Sequence, residues 1–191
     1  APDELRLSLI SKLSAPVSRM ESLVQDLLLL TQLESNPVPP EMDEINMNDV
    51  IRNACNEVQG LLAESDKISI VNDCDKPIKG IATELNSLCT NLISNAVRYS
   101  PDGADIEISW ASLSDSKARL SVKDTGIGIA KEHIDRITER FYRVDMKDSR
   151  ARGGTGLGLA IVKHVLRRHN SELEVKSRVN EGSLFYCDFE L

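Results

Sequence analysis

Apolar and polar positions alternate along this chain in three distinct ways. From Asp3 to Ser35, Ile10, Leu13, Val17, Met20, Val24, Leu27 and Thr31 recur three and four residues apart, which predicts a long amphipathic helix. Leu9, Leu23 and Leu30 widen that stripe on one flank, as the helices of a bundle require. Pro16 interrupts it, so either Ser14 caps a fresh helix or the helix is kinked there. A single helix cannot bury such a face alone. It calls for partners in a longer chain or a second copy, unless it packs on its own downstream domain.

The run NPVPPEMDE then breaks helical continuity with its prolines and stays solvated through its acids, so residues 37–44 read as a linker. From Ile45 the period alternates between helix and strand. Asn48 is placed to cap a helix from Asp49 to Glu64, and short strands follow at Ile68 to Val71 and Ile78 to Ile81. Thr83 would cap a helix from Glu84 to Tyr99 that ends on the turn residues Ser100-Pro101-Asp102-Gly103. Ile106, Ile108 and Trp110 alternate, as do Leu120 and Val122, giving two strands joined by the loop Ser112 to Lys117. A short helix from Lys131 to Thr138, a longer one from Thr155 to His169 and a hairpin turning at Asn180-Glu181-Gly182 complete the chain. Helices bunched among antiparallel strands predict an α+β layered sandwich, preceded by a bundle-forming helix.

Composition narrows the function. The 191 residues are 41% apolar and carry a net charge of −7, which disfavours nucleic acid as a partner. Any phosphate site must therefore be a local basic patch. No stretch approaches the ~20 apolar residues that span a bilayer, so the piece is expected to be soluble. The four cysteines lack metal-ligand spacing and read as free thiols in a reducing compartment. The abrupt start at Ala-Pro suggests a piece of something longer.

Chemistry concentrates between Asp124 and Leu159. DTGIGI stands at one end and GGTGLGL at the other, with the polar and basic ERFYRVDMKDSRAR between them. Glycines let the backbone approach a phosphate, and the apolar helix that follows offers free N–H groups to an anion. On the earlier helix, NLISNAVRYS places Asn91, Asn95 and Arg98 on one face at i, i+4 and i+7. Two amide oxygens one turn apart can hold a hydrated Mg²⁺ that carries phosphate oxygens, and Arg98 can meet a phosphate directly. A solvated polar face would look the same on that helix alone.

These segments resemble the N box (NLISNAVRYS), G1 box (DTGIGI), F box (ERFYR) and G2 box (GGTGLGL) of sensor histidine kinases, in the family's order. The resemblance implies the Bergerat ATP-binding sandwich shared with gyrase, Hsp90 and MutL. Upstream, SRMESLVQDLLLLTQLE resembles the second helix of the family's dimerisation and phosphotransfer bundle, which assigns residues 1–36 to that helix and 45–191 to the catalytic domain. TERFYRVD, GLGLAIVKHVLRRH and the hairpin look most like the PhoR-type kinases of phosphate limitation.

The resemblance also implies roles, residue by residue. Asp124 would accept a hydrogen bond from the adenine amino group, with Gly126, Gly128, Ile129 and Ser183 around the base. Asn95 would bind Mg²⁺, with Asn91 beside it on the metal or the phosphates. Arg98, Tyr99, Tyr142 and Arg143 would flank sugar and phosphates, and Phe141 with Tyr142 would anchor a lid. Lys147, Arg150 and Arg152 are further phosphate candidates. Gly154, Thr155, Gly156, Leu157 and Gly158 would hinge the lid and offer N–H groups. Of these, Asn91, Asn95, Arg98 and Arg143 are the catalytic candidates.

Two absences shape the expected mechanism. Hydrolytic relatives carry a general-base glutamate where this chain has Asn91, and an amide cannot take a proton from water. The family's acceptor histidine, in a motif like H-E-x-x-x-P, is missing. His133, His164 and His169 are expected to be surface or helix-cap residues. The expectation is a catalytic domain that transfers the γ-phosphoryl group of Mg-ATP to a histidine outside these residues. A response-regulator aspartate (PhoB-like if the PhoR likeness holds) would follow as acceptor. The intact protein would be a homodimer, with this portion on the cytoplasmic side of a bacterial inner membrane. The alternatives are a free-standing Bergerat ATPase or anti-sigma-type serine kinase, and a non-catalytic interaction module.

Overall fold

A computed structural model of the chain describes residues 2–35, 41–100, 103, 105–144 and 154–191, with side chains of the first helix described at Val17 and from Met20 onward. That helix, α1 (Pro2–Ser35), continues through Pro16, so no fresh helix starts at Ser14. Its stripe divides in two. Val17, Met20, Val24 and Leu27 remain exposed, while Leu30 and Leu33 are 2% and 4% exposed and join the downstream core. Of the flank read as widening a bundle seam, Leu23 and Leu30 pack on the chain's own domain instead, and the Leu9 side chain lies outside the described residues.

The domain is a sheet covered on one face by helices. The sheet order is β2 (Lys67–Asp73), β4 (Asp105–Ser114), β5 (Lys117–Asp124), β7 (Gly182–Glu190), β6 (Glu174–Arg178). It is mixed: β2 runs parallel to β4, with Ile70 opposite Ile108, and every other pair is antiparallel. The parallel pair follows from the crossover between them, which contains α3 (Ala82–Arg98). A separate ladder pairs β1 (Asp43–Ile45) with β3 (Ile78–Gly80), so a strand lies partly within the stretch read as linker. The loop expected from Ser112 to Lys117 shrinks to Asp115 and Ser116, because β4 and β5 both extend to the turn.

Strand parity explains the core. Ile106, Ile108 and Trp110 on β4, Leu120 and Val122 on β5, and Phe185, Cys187 and Phe189 on β7 all face the helices and are buried. Asp124 is the next inward position after Leu120 and Val122, so the strand itself delivers a carboxylate into an apolar layer. The covering helices are α2 (Met47–Val58), α3 and α5 (Gly158–Arg168); α4 (Lys131–Ile134) is a single turn, shorter than its sequence suggests. The four cysteines are free, and burial pushes the Cys89 thiol up to about 12, which leaves it inert at neutral pH.

Helix ends differ from expectation in informative ways. Asn46, not Asn48, caps α2 by accepting from the Asn48 N–H at 2.9 Å. The Asn48 amide instead donates to the Cys74 carbonyl across the domain. Thr83 caps nothing: α3 starts after Ile81, whose N–H donates to His169 Nε2 at 3.1 Å. His169 lies at the end of α5, and its Nδ1 sits 2.8 Å from the Val165 carbonyl. One nitrogen must accept and the other donate, which fixes the neutral Nδ1–H tautomer. Of the two places expected for it, His169 takes the helix cap and not the surface: it is the buried C-cap of α5, and it continues the apolar stripe of Ile161, Val162, Val165 and Leu166. Beside it, Arg168 clamps the buried Glu84 of α3 at 3.0 Å. His169→Leu orphans the Ile81 N–H and is expected to cost about 1–3 kcal/mol. Urea unfolding monitored by circular dichroism checks this, and an unchanged midpoint would count against the assignment.

Candidate functional site

Two adjoining cavities open between α3, the segment after β5 and the start of α5. The first, of about 350 Å³, is largely apolar and is lined by Ile127, Ile129, Val179 and Phe185 around Asp124. The second, of about 380 Å³, is polar and is lined by Asn91, Asn95, Arg98, Thr155 and Gly158. Asn95, Tyr99, Tyr142, Arg143 and Leu159 line both, so the two form one cleft with an apolar and a polar half. A heteroaromatic base with a polyanionic tail has that same division.

In the apolar half, Asp124 Oδ1 accepts from the Gly126 N–H at 2.9 Å and the Ser183 N–H at 3.2 Å. Burial raises the Asp124 pKa, and these two donors oppose the rise. Its Oδ2 has no hydrogen bond among the described residues, leaving one acceptor for a ligand amine. The loop that carries Gly126 and Gly128 is held by its own chain: Ile127 N–H donates to the Tyr99 carbonyl at 2.9 Å, and Asn180 N–H to the Ile127 carbonyl at 2.8 Å. A Cβ on Gly126 would stand 2.2 Å from the Tyr99 carbonyl oxygen. The close approach that requires glycine here is thus to protein backbone. Ile129 N–H donates to Ser177 Oγ at 2.7 Å, and Ser177 also lies 3.0 Å from Ser183 Oγ. Nothing local in the sequence marks Ser177, because its partners lie on two other segments.

In the polar half, α3 presents its amphipathic face as the spacing predicts. Asn91 Nδ2 donates to the Ser87 carbonyl at 2.9 Å, and its Oδ1 would be 2.4 Å from a Cβ on Gly158. Asn91 is therefore wedged between its own helix and the first turn of α5. Asn95 makes no side-chain hydrogen bond among the described residues and lines both cavities. Burial lowers the Arg98 pKa; Tyr99 and Asp26 oppose that shift, and Arg143 reinforces it. Two neighbouring cations on a partly buried surface favour an anionic occupant.

The start of α5 has no side-chain cap, and Gly158 and Leu159 of its first turn line this half. Leu157 is fully buried and acts as core, while its N–H donates to Thr155 Oγ1 at 3.2 Å. Phe141 stands at φ +60 with a largely exposed ring, and its N–H donates to the Gly156 carbonyl at 2.8 Å. The foothold expected of the Phe141 ring is thus made by its backbone and by Tyr142. The Tyr142 hydroxyl meets His133 Nδ1 at 2.6 Å, and Arg136 stacks 4.3 Å above its ring. Arg143 donates to the Gly154 carbonyl at 2.6 Å. Lys147, Arg150 and Arg152 lie outside the described residues, as does the lid they would form.

The chain matches the family described as histidine kinase-, DNA gyrase B-, and HSP90-like ATPase over residues 80–191. It is 42% identical over 184 residues to the phosphate regulon sensor protein PhoR of Pseudomonas aeruginosa, covering 96% of this chain and 41% of that protein. It is 37% identical over 186 residues to the sensor-like histidine kinase SenX3 of Mycolicibacterium smegmatis, covering 96% of this chain and 48% of that one. The chain thus spans less than half the length of these curated relatives. Among solved structures, the mycobacterial sensor histidine kinase MprB aligns with a TM-score of 0.68 at 24% identity, over 78% of this chain and 97% of that one. Full-length ShkA in complex with AMPPNP aligns with a TM-score of 0.78 at 23% identity, over 95% and 38%. At such identities these two speak to the fold alone. The four boxes, the two-part cleft and the relatives at 42% and 37% identity agree: the chain belongs to the histidine kinase-, DNA gyrase B- and HSP90-like ATPase family and carries the ATP-binding catalytic domain of the sensor histidine kinases.

Proposed function

We propose that this domain binds Mg-ATP and transfers its γ-phosphoryl group to a histidine that residues 1–191 do not supply. The observation that carries the reading is the divided cleft, with a half-satisfied carboxylate in its apolar end and Asn95 with Arg98 in its polar end. Asp124 Oδ2 reads the adenine amino group, with Ile129 and Ser183 beside the base. Arg98, Arg143 and the first turn of α5 hold the phosphates. Asn95, with its amide unengaged, fits a Mg²⁺ that takes few protein ligands, and Asn91 supports α5 from below. When bound, the metal neutralises phosphate charge. The chain's own residues orient the phosphate chain and exclude water, the usual division of labour in phosphoryl transfer.

Asn91 also argues against hydrolysis. Its amide is committed to Ser87 and packed on Gly158, and it has no basicity to activate water. The exposed row Val17, Met20, Val24 and Leu27 supports residues 1–36 as the second helix of a dimeric phosphotransfer bundle, with 37–44 as linker and 45–191 as the catalytic domain. No helix among the described residues is long and apolar enough to cross a membrane. The likeness to sensor kinases favours a place on the cytoplasmic side of an inner-membrane receptor. The PhoR likeness favours a PhoB-like response regulator as the final acceptor.

With γ-labelled ATP, the chain alone is expected to stay unlabelled and to release little phosphate. Adding a separate bundle fragment that carries the acceptor histidine is expected to yield an acid-labile phosphate on that fragment. Label on this chain by itself, or rapid hydrolysis, would contradict the proposal.

A further inference from the structure

The face of α1 that meets the domain carries two carboxylates as well as leucines. Leu23, Asp26, Leu30, Leu33 and Glu34 lie along it, and at its end Glu34 pairs with Arg140 and, at 3.2 Å, with His164 of α5. Two turns earlier the chemistry changes character. Asp26 Oδ2 accepts a hydrogen bond from Thr155 Oγ1 at 2.8 Å, and Asp26 lines the polar cavity together with Arg98, Asn95 and Gly156. The carboxylate therefore shares the polar cavity with Arg98, which is assigned above to the phosphates.

We propose that Asp26 occupies the phosphate subsite as an internal anion, so that α1 docked in this position and a bound nucleoside triphosphate exclude each other. The inference rests on the cleft being the nucleotide site. A threonine hydroxyl has one proton to donate, and here Asp26 takes it. Arg98 likewise balances the charge of Asp26. Burial raises the Asp26 pKa, an effect that Thr155 and then Arg98 offset, so the carboxylate has lost water and gained these two partners. Bringing a triphosphate to the same donors adds several negative charges beside a desolvated carboxylate. The conflict is relieved when α1 moves away, which uncovers Leu30 and Leu33. Nucleotide binding would then release an apolar face that the docked helix conceals, and charge on the tail is what drives the release.

The test compares ligands that share the base but differ in the tail. Calorimetric titration of the whole chain with Mg-ATP is expected to show affinity on the order of tenfold higher for Asp26→Asn than for wild type, within the usual range of coupling between sites. Adenosine, which lacks the tail, is expected to bind both equally. Hydrogen exchange across residues 23–34 of the wild type is expected to accelerate with Mg-ATP and not with adenosine. Unchanged or weaker Mg-ATP binding by Asp26→Asn overturns the proposal; weaker binding would make Asp26 a metal co-ligand instead. Slower exchange of those residues with Mg-ATP overturns it too. If neither adenosine nor Mg-ATP binds wild type or variant, the nucleotide site itself has been misassigned, a failure distinct from the others.

Discussion

Asp124→Asn is expected to raise the Kd for ATP about a hundredfold, near 2.7 kcal/mol, while leaving the fold intact. The asparagine Oδ1 can keep both backbone donors, Gly126 and Ser183. That choice turns the Nδ2 toward the place of the adenine amine, so a donor faces a donor where an acceptor is needed. A lost hydrogen bond to a charged group is worth roughly 1.5–3 kcal/mol, and the unpaired amines add desolvation cost. The same geometry is expected to narrow the preference for ATP over GTP, because the amide can donate to a guanine carbonyl. Calorimetry with both nucleotides measures this, and an unchanged ATP affinity would remove Asp124 from the base site.

Stability is expected to move the other way. Burial raises the Asp124 pKa in the folded state, so the ionised form is disfavoured by folding. The penalty is complete above that raised value and disappears as pH falls below the ordinary carboxylate value of 3.8. Asp124→Asn should therefore match or slightly exceed wild-type stability at neutral pH, with the two converging in acid. Thermal melts of both proteins across that range separate lost binding from lost fold.

Chemistry that sits on one element could be read in advance. The face Asn91, Asn95 and Arg98 needs only the helical period, and the burial of Asp124 follows from counting twos along Leu120 and Val122. What escaped the sequence is what joins distant segments. Apolar spacing says that Leu30 and Val24 each need cover, yet it cannot say that one meets this domain and the other stays exposed. Asp26 reads as a solvated acid on a helix, and only docking brings it to Thr155. Ser177 shows no local signal either, since Ile129 and Ser183 reach it across the sheet edge. Strand β1, at three residues, is too short for a period, and its existence depends on β3. His169 is legible both as a helix cap and as a buried residue, since it falls four residues after Val165 on the face that Ile161 and Val162 already define as buried.

The second large effect expected is at Gly128, and it separates two kinds of glycine in these motifs. Gly128 has φ +67, and a Cβ there would lie 1.9 Å from the Arg178 carbonyl oxygen and 2.6 Å from its carbon. The left-handed conformation costs an L-residue roughly 1–2 kcal/mol. Displacing fixed backbone adds about 1–3 kcal/mol as overpacking. Gly128→Ala is thus expected to lose about 3 kcal/mol, or roughly 6–12 °C in Tm for a chain of this size. The loop cannot yield cheaply, because Ile127 is pinned on both sides, by Tyr99 and by Asn180. Moving it also shifts Ile127 and Ile129 out of the apolar half, so adenosine binding should fall even where the variant remains folded. Gly154 supplies the contrast. The nearest atom to a Cβ there is the Arg143 guanidinium at 3.9 Å, and Gly154→Ala should change Tm by no more than a degree or two. If the two alanine variants melt together, the contact with Arg178 is not what Gly128 is for. If they separate as expected, DTGIGI is rigid backbone shaping the base pocket, and glycine there serves packing rather than motion.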